Sequence, residues 1–415
     1  MLIRFRARNF RSLRDEQELS MVAALKDGGR GVVQIDSLGL DLLQVAGIYG
    51  ANAAGKSNVL DALRFMQTAV TSSHRQWRPE GPIPHEPFVL DPAWRSRPSR
   101  FAIDFLLEDL HFQYGFELNS EIVLREWLHA FPNKRRQTWF TRDQQEFTFG
   151  RSLKGANRTI QGLTRSNSLF LSAAAENNHP SLGSVYQWLA SGLLFMRRDD
   201  EDVRLSSLAV NLTLGDQDRT AVLDLLRLAD LGIVDVKARR YPKLPLQELA
   251  KLVMNPEQTK PLARLELYHR SQGEPVALSI EQESRGTLAW LSLVGSILNA
   301  LNRGTVLCID ELDSSLHPLL ATETIKIFES PARNKHRAQL IFNTHDTTIL
   351  GNLLRSPSLR RDQVWFVEKD QEGATKLYPL TDFKPRNLEN LERGYLQGRY
   401  GAVPFIEPAA VEEDA

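Results

Sequence analysis

Residues 50–57 read GANAAGKS and match the phosphate-binding loop pattern G-x-x-x-x-G-K-[ST]. The apolar run QVAGIYG at 44–50 predicts a buried strand before the loop, and SNVLDALRFMQTAV at 57–70 has the apolar spacing of a helix after it. Glycines let the backbone curl so that successive N–H groups face phosphate oxygens, and the helix N-terminus adds a favourable dipole. The stretch therefore predicts a strand–loop–helix unit of an α/β fold that binds phosphate.

The residues of this loop have distinct expected roles. Lys56 is expected to bridge the β- and γ-phosphates, and Ser57 to ligate Mg²⁺. The predicted nucleotide-binding residues of this segment are Gly50, Asn52, Ala53, Ala54, Gly55, Lys56, Ser57 and Asn58. The alternative is a Gly- and Ala-rich turn with an unrelated lysine, and the strand–loop–helix context argues against it.

A second apolar run, VLCI at 306–309, ends in two acids, Asp310 and Glu311. Asp310 is expected to hold Mg²⁺, usually through water, and Glu311 to polarise the attacking water as a general base. Alone this signal is weak, because apolar strands that end in Asp-Glu are common entries to loops. Its pairing with the phosphate-binding loop strengthens the catalytic interpretation.

A third apolar run, LIFN at 340–343, leads to Thr-His-Asp. His345 at this position is a candidate contact to the γ-phosphate and the attacking water. By itself, the histidine fits a capping role in a turn better than a contact to phosphate.

The stretch SIEQESRGTLAWLSLVGSILNAL at 279–301 places a Ser-x-Gly turn before an apolar helix. Ser284 and Gly286 would direct a hydroxyl and N–H groups of the helix start at a γ-phosphate. The alternative is an ordinary N-cap, for which serine is a common residue. The helix is apolar on nearly every side, so we expect it to be buried.

The remaining pattern suggests four regions. Residues 1–150 contain alternating strands, with a hairpin over 100–119 that turns near Glu108–Asp109, and 71–100 is a loop. Residues 151–262 are predicted to be a helical insertion, with helices at 168–178, 181–196, 218–233 and 244–254. Strands return over 263–383, and 384–415 form a C-terminal tail.

Composition narrows the function classes. The chain has 415 residues and 42% hydrophobic residues, enough for two or three domains. Its 51 basic and 51 acidic residues argue against a generally basic nucleic-acid-binding surface. One cysteine, Cys308, excludes an internal disulfide and fits a reducing compartment. No apolar run is long enough to span a membrane and no signal peptide is recognised, so a cytoplasmic location is expected.

The order of these motifs resembles the ABC-type ATPase heads of the SMC, RecF and double-strand-break-repair class. Asn9-Phe10-Arg11-Ser12 matches the turn after the first strand of such heads, and Ser284-Arg-Gly286 matches their signature motif. The resemblance implies an ABC-ATPase head with a mixed, mostly parallel core sheet, a flanking antiparallel sheet and a helical insertion. It also implies ATP and Mg²⁺ as ligands, Arg11 at a nucleotide phosphate, and a head-to-head dimer in which Ser284 faces the loop of the other subunit. For Arg11, a surface salt bridge is an equal alternative.

The string DELDSSLHP at 310–318 is similar to the D-loop of stand-alone prokaryotic ATPases related to the overcoming-lysogenization-defect (OLD) nucleases. The C-terminal segments are similar to anti-phage ATPases of the PARIS and AbiL/RloA type. This resemblance implies a sensor or regulatory ATPase of an abortive-infection system, triggered by nucleic acid or a phage protein. No TOPRIM-like cluster of acids follows His345, so a separate effector such as a TOPRIM-like nuclease is expected.

The sequence departs from the class at three points. No Q-loop glutamine can be placed, since Gln67, Gln76 and Gln113 do not fit. The signature is Ser-Arg-Gly where Ser-Gly-Gly is usual, and His317 stands where many D-loops have aspartate.

Three alternatives remain at this stage. A GTPase needs Asn-Lys-x-Asp, and the nearest string, at 334–337, lacks the aspartate. A low-turnover ATP-dependent scaffold is opposed by the intact Glu311, and a RecF- or SMC-like DNA-repair ATPase is opposed by the neutral charge. Lys134–Arg136 and the tail at 394–401 are weaker candidates for partner contacts; a solvated hairpin tip and a coil packed on its own domain are the alternatives.

Overall fold

The computed structural model of the chain describes residues 1–197, 200–215, 219–229, 231–240, 263–314, 316–351, 358–384 and 389–404. Two predicted features, the helix at 244–254 and Ser315 of the D-loop, lie outside these residues. Within the described ranges, no helix is both long and apolar enough to cross a membrane.

The strands are β1 (Leu2–Arg8), β2 (Gln17–Ser20), β3 (Val32–Ile35), β4 (Leu40–Leu43), β5 (Val45–Gly50), β6 (Ser99–Leu107), β7 (Leu110–Leu118), β8 (Val123–Ala130), β9 (Gln137–Asp143), β10 (Glu146–Phe149), β11 (Leu193–Met196), β12 (Ile233–Arg240), β13 (Ala263–His269), β14 (Val276–Ser279), β15 (Val306–Ile309), β16 (Gln339–Asn343), β17 (Val364–Lys369) and β18 (Thr375–Pro379). The α-helices are α1 (Lys56–Ser72), α2 (Pro92–Arg95), α3 (Asn157–Leu163), α4 (Phe170–Glu176), α5 (Gly183–Ser191), α6 (Glu201–Leu214), α7 (Arg219–Arg227), α8 (Arg285–Arg303), α9 (Pro318–Glu329) and α10 (Leu391–Leu396).

The chain forms two compact units, the first comprising Met1–Leu193 with Ile341–Ala415 and the second Leu194–Leu340. In the first unit, an antiparallel sheet has the strand order β10-β9-β8-β7-β6-β1-β2. Its longest hairpin joins β6 and β7 through Glu108 and Asp109, which adopt φ values of 49° and 60°. Two successive left-handed residues match the twist of a two-residue hairpin, which explains the predicted turn position.

The nucleotide-loop strand β5 lies in a mixed sheet of the same unit. There the strand order is β16-β5-β17-β18, with β17 parallel to β5 and antiparallel to β18. Every residue of β5 is buried, as expected for a parallel strand covered on both faces. The predicted fold class, α/β with a mixed core sheet and a flanking antiparallel sheet, is confirmed.

Aromatic side chains attach α1 to the antiparallel sheet. The ring centroid of Phe10, in the turn after β1, lies 5.4 Å from that of Phe65 in α1 and 5.6 Å from that of Phe101 in β6. Asn9 before it is fully buried and binds backbone on two segments, donating to Arg97 O and accepting from Phe88 N. The Asn-Phe-Arg-Ser turn therefore builds the support of the helix that follows the loop.

A buried ionic network also belongs to this unit. The Glu126 carboxylate of β8 accepts hydrogen bonds from Phe170 N (2.6 Å), Leu171 N (3.0 Å) and the Tyr114 hydroxyl (3.0 Å). Arg142 of β9 lies 3.5 Å from the same carboxylate, and both side chains are fully buried. The carboxylate thus satisfies the first N–H groups of α4, which packs on α1.

The second unit is built around α8, which both α6 and α7 contact. Trp290 is completely buried and donates its indole N–H to Leu225 O at 3.1 Å. The expected burial of this helix is confirmed. A three-stranded antiparallel sheet, β12-β13-β14, contacts α6 and α7, and β11 pairs with β15.

Several elements differ from the sequence prediction. The segment 181–196 is a helix only to Ser191, because Gly192 ends it and Leu193–Met196 form β11. The strands β9, β10 and β12 and the helix α6 were not predicted. The apolar run at 193–196, which forms β11, has four residues and is too short for its periodicity to distinguish a strand from a helix.

The tail residues that the structure describes pack on the first unit. Tyr395 and Tyr400 are buried, and their rings stack on Phe366 of β17 at 5.3 and 5.8 Å. This favours the interpretation of the tail at 394–401 as a segment packed on its own domain. Lys134–Arg136, in contrast, are exposed between β8 and β9, as expected for a hairpin tip.

Candidate nucleotide-binding site

The loop between β5 and α1 has the backbone of a phosphate-binding nest. Ala53 and Gly55 adopt left-handed φ values of 61° and 108°, on either side of Ala54. Changes of handedness over successive residues turn neighbouring N–H groups toward one point, which suits an anion. Gly50 must lack a side chain for another reason, since a Cβ there would lie 2.4 Å from Val367 O of β17.

Lys56 and His345 meet at this loop. The Lys56 side chain is 6% exposed, and its Nζ donates to Gly50 O at 2.8 Å and Ala51 O at 3.1 Å. The same Nζ lies 3.3 Å from His345 Nδ1, directly after β16. Because β16 and β5 are neighbours in one sheet, residues 289 positions apart reach the same point. The structure thus brings together the predicted lysine and the predicted switch histidine.

Arg11 is engaged by carboxylates. Its guanidinium forms ion pairs with Asp61 of α1 and with Glu86, the latter at 2.6 Å. The hydrogen bond that Arg11 donates to Glu86 is the largest of the effects that raise the pKa of Arg11. The salt-bridge alternative describes this geometry, and a phosphate contact by Arg11 would require it to exchange partners.

Asn58 and Ser57 begin α1. Asn58 Nδ2 donates to Ser12 Oγ at 2.6 Å, so its amide is used within the protein. Asn52 is exposed at the tip of the loop, and Ser57 is partly exposed in the first turn of the helix. The Asn58 side chain therefore supports the loop through the turn after β1.

In the second unit, Asp310 and Glu311 follow β15. Asp310 N donates to Met196 O of β11 at 3.1 Å, which fixes the strand end. Glu311 is exposed and adopts φ = 59°, and its carbonyl accepts from Ser314 N at 2.9 Å in a turn. A non-glycine residue in this region costs on the order of 1–3 kcal/mol and is enriched at functional sites, which agrees with a catalytic role for Glu311.

His317 begins α9, just after this turn. Its Nδ1 accepts from Leu319 N at 3.2 Å, and Pro318 occupies the first helical position. The imidazole therefore performs the capping function that an aspartate carboxylate would perform. His317 therefore has a structural role as the N-cap of α9.

The Ser-x-Gly turn forms the start of α8. Ser284 is the N-cap, and its Oγ accepts from Thr287 N at 3.1 Å. Ser284, Arg285 and Gly286 are exposed, while the preceding Glu283 is held by His269 at 2.7 Å. Ser284 is thus the N-cap of α8, as the alternative interpretation predicts. The start of the helix is also exposed, so a ligand can reach it.

A cavity of about 390 Å³ lies beside Asp310 and Glu311 within the second unit. Its charged lining includes Arg197, Glu201, Asp202, Arg204 and Arg285. The lining residues that follow β11 were not among the residues predicted from the sequence. The signal was the short apolar run LLFM ending in charged residues, which resembles the ending of β15.

The glutamines considered for a Q-loop have structural partners. Gln67 of α1 donates to Leu189 O, Ala190 O and Leu193 O, and so caps the end of α5. Gln113 of β7 donates to Asp104 at 3.1 Å. Arg197, which follows β11, lines the same cavity as Asp310.

A buried strand, a left-handed glycine loop and a helix that begins with a buried lysine define a P-loop nucleotide-binding protein. Residues 45–351 match the family described as "AAA domain, putative AbiEii toxin, Type IV TA system", and the chain belongs to this family. A search of curated proteins finds no match.

Solved structures similar to the chain include SMC heads. One is an Smc head bound to the C-winged helix domain of ScpA, with 13% identity, a TM-score of 0.47 and coverage of 91% of this chain and 97% of that one. The SMC head domain from Thermotoga maritima has 12% identity, a TM-score of 0.40 and coverage of 91% and 98%. The Smc head domain from Pyrococcus furiosus, bound to the C-terminal domain of ScpA, has 14% identity, a TM-score of 0.44 and coverage of 96% and 98%.

Proposed function

We propose that the protein binds and hydrolyses ATP as an ABC-type ATPase. The observation that carries this proposal is the meeting of Lys56 and His345 at the nest formed by residues 50–57. Lys56 would leave its loop carbonyls to neutralise the β- and γ-phosphates, and His345 would hold the γ-phosphate and the attacking water. Glu311 would accept the proton of that water.

Mg²⁺ fits the donor atoms available. The Ser57 hydroxyl and the Asp310 carboxylate are hard oxygen ligands, and Mg²⁺ in such sites takes one or two protein oxygens together with phosphates and water. Among the described residues, no group of three or more His, Cys, Asp or Glu side chains could hold a metal ion. When bound, the ion would neutralise developing negative charge on the phosphate oxygens.

A second copy of the chain would complete the site. The exposed start of α8 offers the Arg285 and Gly286 N–H groups to an anion. The Ser284 hydroxyl, which accepts from Thr287 N and lies 2.8 Å from Thr287 Oγ1, would turn to donate to the same anion. In the head-to-head dimer proposed here, that anion is the γ-phosphate on the loop of the partner. Ser284→Arg would then abolish ATP-driven dimerisation and leave ATP binding by the monomer intact, which light scattering and calorimetry would measure.

The biological role we propose is that of a cytoplasmic sensor ATPase in anti-phage defence of the PARIS or AbiL/RloA kind, controlling a separate effector. The family description, which names a toxin of a type IV toxin–antitoxin system, supports a defence context. Nucleic acid or a phage protein would be the trigger. Expression with its neighbouring genes should protect a host from phage, and Lys56→Ala should abolish protection.

The biochemical proposal is tested by turnover. Wild-type protein should hydrolyse ATP in preference to GTP in a Mg²⁺-dependent reaction. Glu311→Gln should abolish turnover and accumulate an ATP-bound dimer, whereas Glu274→Gln, at an exposed turn, should behave as wild type. Absence of wild-type turnover, with Glu311→Gln unchanged in assembly, would support the scaffold alternative and contradict the proposal.

A further inference from the structure

A line of hydrogen-bonding groups lies under the phosphate-binding loop. Thr375, the first residue of β18, is 1% exposed, and its Oγ1 lies 2.8 Å from Ala54 O and 2.7 Å from Ser12 Oγ. Asn58 Nδ2 lies 2.6 Å from the same Ser12 hydroxyl. The four groups come from the turn after β1, the loop, α1 and β18, all in the first unit.

The groups at the two ends of this line, the Ala54 carbonyl and the Asn58 amide nitrogen, determine which group donates in each hydrogen bond. The Ala54 carbonyl can only accept, so the single hydroxyl proton of Thr375 points to it. The Asn58 amide nitrogen can only donate, so the Ser12 hydroxyl accepts from Asn58. Ser12 then donates its own hydrogen bond to Thr375 Oγ1. The chain is therefore Asn58 N–H to Ser12 O–H to Thr375 O–H to the carbonyl of Ala54, with each bond polarising the next.

Holding this carbonyl fixes the next N–H group. The peptide bond between Ala54 and Gly55 is planar and trans, so the Gly55 N–H points away from the Ala54 oxygen. With the oxygen held by Thr375, the N–H is turned away from β18. In a phosphate-binding loop, the N–H groups at these positions contact the phosphates of the nucleotide.

The close approach of Thr375 also restricts the loop. A Cβ on Gly55 would lie 2.2 Å from Thr375 Oγ1 and 3.0 Å from Ser12 Oγ. Gly55 has φ = 108°, and only glycine allows the loop to contact the two hydroxyls in this conformation. A second link joins the same partners, since Thr375 N donates to Ser12 O at 2.8 Å.

We propose that Thr375 and Ser12 are positioning residues, which orient the Ala54–Gly55 peptide so that its N–H binds the phosphates of the nucleotide. This proposal rests on the proposed nucleotide binding and extends it to two residues that touch no phosphate. It assigns a function to the serine of the Asn-Phe-Arg-Ser turn.

The test compares the affinity for ADP, measured by calorimetry, in matched variants. Thr375→Val keeps shape and burial but removes the hydroxyl, and should weaken ADP binding on the order of tenfold, since an unpaired carbonyl is free to turn. Thr375→Ser restores the hydroxyl and should restore the affinity. The Gly55 N–H would contact the phosphates both in the bound substrate and in the transition state. The loss of this contact should therefore raise KM for ATP more than it lowers kcat.

Thr164→Val is the control for the loss of a buried hydroxyl. Thr164 is also buried in the first unit, where it directly follows α3, and its Oγ1 donates to Ile160 O of that helix at 2.8 Å. This variant should bind ADP as wild type does. If Thr375→Val binds ADP with wild-type affinity, the proposal is wrong.

Two further outcomes are distinguishable. Should Thr375→Val fail to fold, Ser12→Ala decides, because it removes the middle of the chain: weakening on the order of threefold supports the proposal, and unchanged affinity overturns it. Should the wild-type protein bind neither ADP nor ATP, the proposed function itself falls, and the inference with it.

Discussion

Replacing Glu126 by Gln tests how the antiparallel sheet supports the nucleotide loop. The carboxylate is fully buried and receives two backbone N–H groups of α4 together with the charge of Arg142. The amide keeps the shape but presents an NH₂ group where an oxygen now faces one of these donors. Removing one partner of a buried pair costs about 3–5 kcal/mol, and an unsatisfied N–H costs about 1–3 kcal/mol.

Arg142 retains other acceptors, which sets the expected magnitude. Its guanidinium donates to Ser168 O at 2.5 Å, Gln144 O at 2.6 Å and Arg165 O at 3.1 Å. The remaining charge is therefore partly compensated, and we expect Glu126→Gln to lose about 3 kcal/mol, near the lower end. At about 2 °C per kcal/mol for a unit of this size, the midpoint of thermal unfolding should fall by about 6 °C.

The assay is urea and thermal unfolding, with Glu146→Gln as the matched control. Glu146 is exposed on β10 of the same sheet, so its change should stay within about 0.5 kcal/mol. Combining Glu126→Gln with Arg142→Met should destabilise by less than the sum of the single changes, by roughly 1–3 kcal/mol. A Glu126→Gln protein within 1 kcal/mol of wild type would refute the reasoning.

Three further outcomes are expected. Gly55→Ala should lose about 2–4 kcal/mol, because it combines a positive φ with a Cβ 2.2 Å from Thr375 Oγ1; unchanged urea unfolding and ADP binding would contradict this. Burial pushes the pKa of Asp104 up, but the hydrogen bond from His111 and nearby positive charge outweigh it, so the pKa lies below its usual value. Asp104 therefore stabilises the fold above about pH 4 and less as pH falls further, so the deficit of Asp104→Asn in urea titrations should shrink below about pH 4. Burial raises the pKa of the Cys308 thiol, so a disulfide reagent should modify the native chain far more slowly than the unfolded one; equal rates would show that β15 is accessible.

The sequence predicted the fold best where its signals were strong and local. The pattern at 50–57, the run before it and the helical spacing after it gave β5 and α1 to within two residues. The end of β16 was equally clear, and the structure places His345 beside Lys56. Each of these elements combines an apolar run with polar punctuation at its end.

The missed elements have weaker local signals. The strand β11 is four residues long, directly follows a helix, and is identified by its pairing with β15. The role of Ser12 could not be predicted either, because its partner Thr375 is 363 residues away. A contact of this kind exists only once the tertiary fold has formed, and no window of sequence contains both partners.

The placement of Thr375 has a consequence for synthesis of the protein. The ribosome makes β5, the loop and α1 early, but the strand that pairs with β5 in parallel and the hydroxyl that holds the loop come from residues 364–375. Domains form on nascent chains as their residues emerge, at about 5–20 residues per second. After the loop is made, roughly 300 more residues must be translated before residues 364–375 can support it, which takes about 15 to 60 seconds. A chain released early would carry the whole phosphate-loop motif and still lack the hydroxyl that holds the Ala54 carbonyl.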